Sequence, residues 1–186
     1  SVTEAAFGVT VNGRATGNDI LEKTNDIWEV TVWEDPFYTS PELGFRYFPS
    51  GGGSTVNTVP LSFSDAEDPD VALTVDGSGD IHALVVYYSA AQNAYFIEDF
   101  TWNTSAFTLN GSAQVIDSQN NFESAINIDS DYDGYFVVVW EGQSTQINCI
   151  TGDVSSGSMN LNSVATGIGS VGSGTFPDVC LSSQNN

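Results

Sequence analysis

The chain has 186 residues, 40% of them hydrophobic, and carries a formal charge of −21 from 24 acids against three bases. That balance excludes a nucleic-acid partner, which needs a basic footprint, and disfavours anionic membrane surfaces. No apolar run reaches the roughly 18 residues that a membrane-spanning helix needs, so no membrane insertion is expected.

Residues 1–17 contain one alternating segment, Ala6–Val11, a predicted strand outside the repetitive part. A first unit, 18–66, holds predicted strands at 17–22, 26–34, 43–48 and 55–63, with Ser50-Gly51-Gly52-Gly53-Ser54 as a loop. A second unit, 67–120, has strands at 70–76, 80–89, 94–102 and 107–116. Its first turn, Gly77-Ser78-Gly79, has hairpin chemistry. A third unit, 121–175, has strands at 123–129, 134–141, 145–151 and 158–166, and residues 176–186 begin a fourth. The whole is expected to be one structural domain.

The units share a phrase. Asp70-Val71-Ala72-Leu73-Thr74-Val75-Asp76, a turn, and Asp80–Tyr88 return as Glu123–Asp129, a turn, and Asp133–Glu141. A weaker copy is Asp26–Glu34, and a truncated one starts at Phe176-Pro177-Asp178. Repetition at this spacing marks an array or a propeller. The second strand of each unit is almost continuously apolar (Leu84–Tyr87, Val137–Trp140), as a strand covered on both faces must be. The reading is all-β: about three four-stranded antiparallel propeller-like blades plus part of a fourth, with a β-sandwich as the alternative. Propellers need 4–8 blades. Self-association or a neighbouring chain, joined by strand addition, is therefore expected to complete the set, unless the chain belongs to something longer or stacks as a filament.

Pro69–His82 with its apolar sequel, and Trp33-Glu34-Asp35 and Trp140-Glu141, resemble the repeats of secreted bacterial and archaeal β-propellers, neighbours of the sialidase-like and Asp-box groups. The resemblance implies a blade fold and a secreted or cell-surface address, and no particular activity. The strict Asp-box order is absent. A sialidase of that group clamps its substrate with three arginines, whereas this chain has only Arg14 and Arg46.

Eight carboxylates precede Arg46 and the other 16 follow it, with no further Lys or Arg. Most acids must therefore be solvated, hydrogen-bonded or neutralised by cations. Asp129, Asp131 and Asp133 alternate around one turn ending in Gly134, a pattern suited to Ca²⁺, which takes six to eight oxygen ligands. Asp76 and Asp80 form a weaker version. The alternative is an acidic turn whose Asp caps its own backbone. Cys149 and Cys180 would form one disulfide in an oxidising compartment, or be two small strand residues. His82, the single histidine, reads as a structural position rather than a triad member. Gly167–Gly172 fits a dinucleotide pattern but lacks the following helix, so it reads as a loop. Trp102, Tyr38 and Tyr132 are candidate ligand-binding aromatics, with glycans as the expected ligand. A start at Ser1 adds the expectation of a processed, secreted chain. The function expected is structural or adhesive and non-enzymatic. A carbohydrate-binding propeller and a glycosidase fragment, which needs only two placed carboxylates, are the alternatives.

Overall fold

The computed structural model describes residues 16–33, 41–118, 126–142, 146–170 and 177–181. The predicted strand at Ala6–Val11 and the candidate Tyr38 lie outside the described residues. Every regular element described is a β-strand.

The first sheet is an antiparallel meander of β1 (Thr16–Lys23), β2 (Asp26–Trp33), β3 (Glu42–Phe48) and β4 (Thr55–Pro60). Lys23 pairs with Asp26, leaving a two-residue turn. Thr24 and Asn25 have φ of 52° and 66°, the doubly left-handed geometry that matches the twist of the flanking strands. The second sheet runs β5 (Ala66–Val75), β6 (Ile81–Ser89) and β7 (Ala94–Asn103), followed by β8 (Ala106–Leu109) and β9 (Gln114–Asp117). The third runs β10 (Ile126–Ser130), β11 (Tyr135–Glu141) and β12 (Gln146–Asp153), followed by β13 (Asn160–Leu161) and β14 (Ala165–Ser170).

In the second and third units the expected single outer strand is instead a pair of short ones. β8 and β9 both pair with β7, and β13 and β14 both pair with β12. In the second sheet the break falls at Asn110-Gly111. The Asn110 side chain turns inward to Asp99, and Gly111 takes φ of 93°. In the third sheet Asn162 ties both its N–H and its side-chain amide to Thr151.

Three sheets, rather than the two of a sandwich, pack face to face with the second in the middle. All nine residues of β6 are buried. Its period of two decides which way each faces. Ala83, Val85 and Tyr87 join Val71, Leu73, Phe96, Phe100 and Phe107 against Val30, Val32, Leu43 and Phe45 of the first sheet. Leu84, Val86 and Tyr88 join Ala72, Tyr95 and Ile97 against Ile126, Ile128, Phe136, Val138 and Trp140 of the third. The continuous apolar run read in the sequence is thus two alternating faces superposed.

The first strand of each sheet lies beside that of the next: β1 contacts β5, and β5 contacts β10. These inner strands are joined by side chains. The carboxylate of Asp19 accepts the N–H of Leu73 at 2.7 Å, and that of Asp70 accepts the N–H of Ile128 at 3.0 Å. Asp129 accepts the N–H of Leu181 at 2.6 Å, so the segment 177–181 docks on the third sheet as the first strands of the second and third sheets dock on theirs. Asn127 adds a bond to the Pro177 carbonyl at 2.6 Å. Gly17 is needed where β1 meets β5, because a Cβ there would collide with Asp70 and the Val71 backbone.

Candidate functional site

The aspartates proposed for Ca²⁺ are placed on different tasks. Asp131 caps its own turn, with Oδ1 accepting the N–H of Asp133 at 2.9 Å and of Tyr135 at 3.1 Å. Asp129 points along the inner edge to Ser130 and Leu181. Asp133 is exposed. Asp76 repeats the cap in the second sheet, accepting the N–H of Ser78 and Asp80 at 2.9 and 2.7 Å. Among the described residues no three acidic, His or Cys side chains converge as a metal-ligand set. Cys149 is half-buried on β12 and Cys180 is exposed, and both thiols are free.

His82 is buried against the third sheet with a carboxylate on each side of its ring. Nδ1 lies 2.7 Å from Asp99 Oδ1, and Nε2 lies 3.8 Å from Asp76 Oδ2. Burial disfavours its charged form, but the Asp99 hydrogen bond and the charges of Asp99, Asp76 and Asp80 outweigh burial and raise the pKa. Nε2 has no hydrogen-bond partner, and the side chain is 1% exposed. A general base must reach a substrate proton, so this buried arrangement is not a hydrolytic triad. A second buried acid, Glu98, accepts the N–H of Ser62 and the hydroxyl of Tyr87 between the first and second sheets. Burial pushes its pKa up.

The inner edge brings together Asp19, Asp70, Asp129 and Asp178, which the sequence did not read as one group. Burial pushes Asp70 up to about 6, with Asp178 and Asp19 adding their charge. Burial also raises Asp19, which feels Asp129. Tyr132, a candidate from the sequence, donates its hydroxyl to Asp19 at 3.2 Å, reaching from the third sheet to the first. Burial, with the nearby charge of Asp19, pushes that phenol up to about 12.

Trp102 lies near the end of β7, as the predicted strand 94–102 has it, half-buried at the junction of the first two sheets. Its ring lies 4.9 Å from Tyr47, 5.3 Å from Phe107 and 5.5 Å from Phe45. Trp28 stands edge-on to it at 6.3 Å. Trp28 and Trp102 line a cleft of about 190 Å³ between the first hairpin turns of the two sheets. Lys23, Thr24 and Asp26 come from one turn, and Gly79, Asp80 and Ile81 from the other. The Lys23 ammonium donates to the Gly79 carbonyl across the cleft. Asp26 accepts the Tyr47 hydroxyl and the Ser50 N–H, each at 2.7 Å, and these bonds hold its pKa below the usual carboxylate value. Trp28 and Lys23 were legible only in outline. Trp28 starts a core strand by pattern, and nothing local says that its edge faces a gap.

Asn103-Thr104-Ser105 and Asn110-Gly111-Ser112 both have the Asn-x-Ser/Thr pattern of glycosylation acceptors, and Asn103 is exposed. Asn110 spends its amide on Asp99 and the Gly157 carbonyl. No protein-family model, curated protein or solved structure matches the chain.

Proposed function

We propose that this is an extracellular, non-enzymatic β-repeat protein whose sheets are blades of a propeller-like ring, and which acts through its surfaces and through assembly with a second copy. The observation that carries the reading is the docking of 177–181 on β10. The Asp129–Leu181 bond repeats the bond that joins each earlier pair of inner strands. The segment 177–181 thereby continues the series of inner edges, to which strands of a neighbouring copy would add.

The ring, rather than a flat filament, is supported by Tyr132. Face-packed sheets lie about 10 Å apart, so the first and third would be about 20 Å apart in a flat stack, beyond the reach of one tyrosine. The Tyr132–Asp19 bond instead fits sheets that fan out from converging inner edges. The charge of −21 suits a saline or calcium-rich medium outside the cell, where cations relieve self-repulsion.

Native mass spectrometry at micromolar concentration tests the assembly. The expected species contains at least two 19.8 kDa chains. Asp129→Ala should release 177–181 and shift the population toward monomer. A wild-type chain that stays monomeric across the concentration range overturns the proposal.

A further inference from the structure

We infer that the cleft between the first hairpin turns of the first and second sheets, walled by Trp28 and Trp102, is a binding site for one ring of an uncharged saccharide. The site is independent of the assembly proposed above, because it is built entirely from the first two sheets.

Size comes first. At about 190 Å³ the cleft is smaller than the roughly 300 Å³ at which sites for drug-sized ligands begin, so it takes a single ring rather than an extended ligand. Its walls are indole, which offers an apolar surface to the C–H face of a sugar. Its rim offers hydrogen-bonding groups of both kinds. Lys23 donates, while Asp26 and Asp80 accept. A hydroxyl is both donor and acceptor, so one sugar can satisfy an ammonium and a carboxylate together.

The charges select against the other classes. An anion would meet Asp26, which is held ionised by Tyr47 and Ser50, as well as Asp80 and a chain of net charge −21. A quaternary ammonium would be drawn to the indoles but would meet the Lys23 charge, and it carries no acceptor for an N–H. Such an N–H is present. Trp28 is 6% exposed, and its Nε1 has no hydrogen-bond partner among the described residues. A buried donor without a partner is unfavourable, so a ligand acceptor that reaches this N–H is stabilising.

The equivalent place at the other junction is filled. Asp131 caps the third-sheet turn as Asp76 caps the second, which puts Phe136 where the second sheet has Ile81. The Phe136 ring covers Gly152, and the Gly77 N–H closes onto the Ser155 carbonyl at 3.3 Å. The site therefore belongs to the first junction and is not a property of the repeat.

The test is titration of the intact chain with glucose, galactose, mannose and N-acetylglucosamine at millimolar concentration, followed by tryptophan fluorescence and saturation-transfer NMR. Choline and inorganic phosphate serve as the charged comparisons. At least one neutral sugar should bind saturably. Trp102→Ala should weaken it at least tenfold. Trp28→Phe, which keeps a ring but removes the N–H, and Asp80→Asn on the rim should each weaken it several-fold while the thermal transition is retained. No binding by any of the four sugars, undiminished binding in folded Trp28→Phe and Asp80→Asn, or binding of choline or phosphate in place of sugars would each overturn the inference.

Discussion

Between the first and second sheets the contact is aromatic. Phe45, Trp102 and Phe107 meet edge to face, with Tyr47 and Trp28 alongside, and the turn ends stay apart except for the reach of Lys23 to Gly79. Between the second and third sheets, backbone and short polar side chains close the same end. The Gly134 N–H bonds to Thr74 Oγ1 at 2.9 Å, Ser155 receives the Gly77 N–H, and Asn110 bridges Asp99 and the Gly157 carbonyl. His82 lies beneath this seam between Asp99 and Asp76. Copies of one repeat thus make one junction that is bulky and open and another that is polar and closed. Large rings hold two turns apart, whereas glycines let backbones approach until they bond directly.

The largest expected effect is in the two cores. Trp140→Ala removes a fully buried ring and its 3.0 Å bond to Asp117, and should lower stability by about 3–5 kcal/mol in urea denaturation. Phe45→Ala, equally buried but without a polar bond, should fall at the lower end of that range. Equal losses would mean that the polar link adds nothing to the closed side.

Next is the buried histidine. Removing one partner of a buried charge cluster costs about 3–5 kcal/mol, so His82→Gln should be destabilised by about that much at pH 6. The pKa of His82 is raised in the folded chain. Its stabilisation is therefore fully present below its unfolded value of about 6.5 and lost as pH rises through the folded value. The Tm of the wild type should fall across that window and that of His82→Gln should not. A parallel decline in both would remove His82 as the cause.

Asp70 gives a smaller, acid-side counterpart at the inner edge. Its pKa rises from 3.8 to about 6 on folding, so stability is highest below pH 3.8 as far as this group is concerned and is lost as pH rises toward 6. Between pH 5 and pH 8 the loss should be about 1–2 kcal/mol, and Asp70→Asn should flatten it in thermal melts. The turn cap ranks next. Asp131→Ala should cost about 1 kcal/mol. An equal Tm loss with EDTA and with millimolar calcium would assign Asp131 to the backbone alone. A larger loss in calcium would assign it to a cation as well. The smallest effect belongs to Glu29→Gln, which removes a 3.6 Å pair with Arg46 at the edge of the array and should change stability by about 0.2–1 kcal/mol.

The sequence by itself determined the three inner strands of each sheet and their antiparallel meander, but it read one outer strand where the second and third sheets have two. Alternation and turn residues are local signals, as at Thr24-Asn25 and Gly77-Ser78-Gly79, and the repeat multiplied them. It also determined that β6 is covered on both faces, since Ala83–Tyr88 offers no polar face to water. Tertiary structure alone decided where each side chain is spent. Asp129 and Asp131 are two residues apart on one turn, yet one joins a neighbouring strand and the other caps its own loop. Trp102 reads as the last residue of a predicted strand, yet it walls a cleft together with Trp28, far away in the chain. Such pairings depend on how close two sheets approach, and that distance is set by the ring or glycine on the facing strand, which no local pattern encodes.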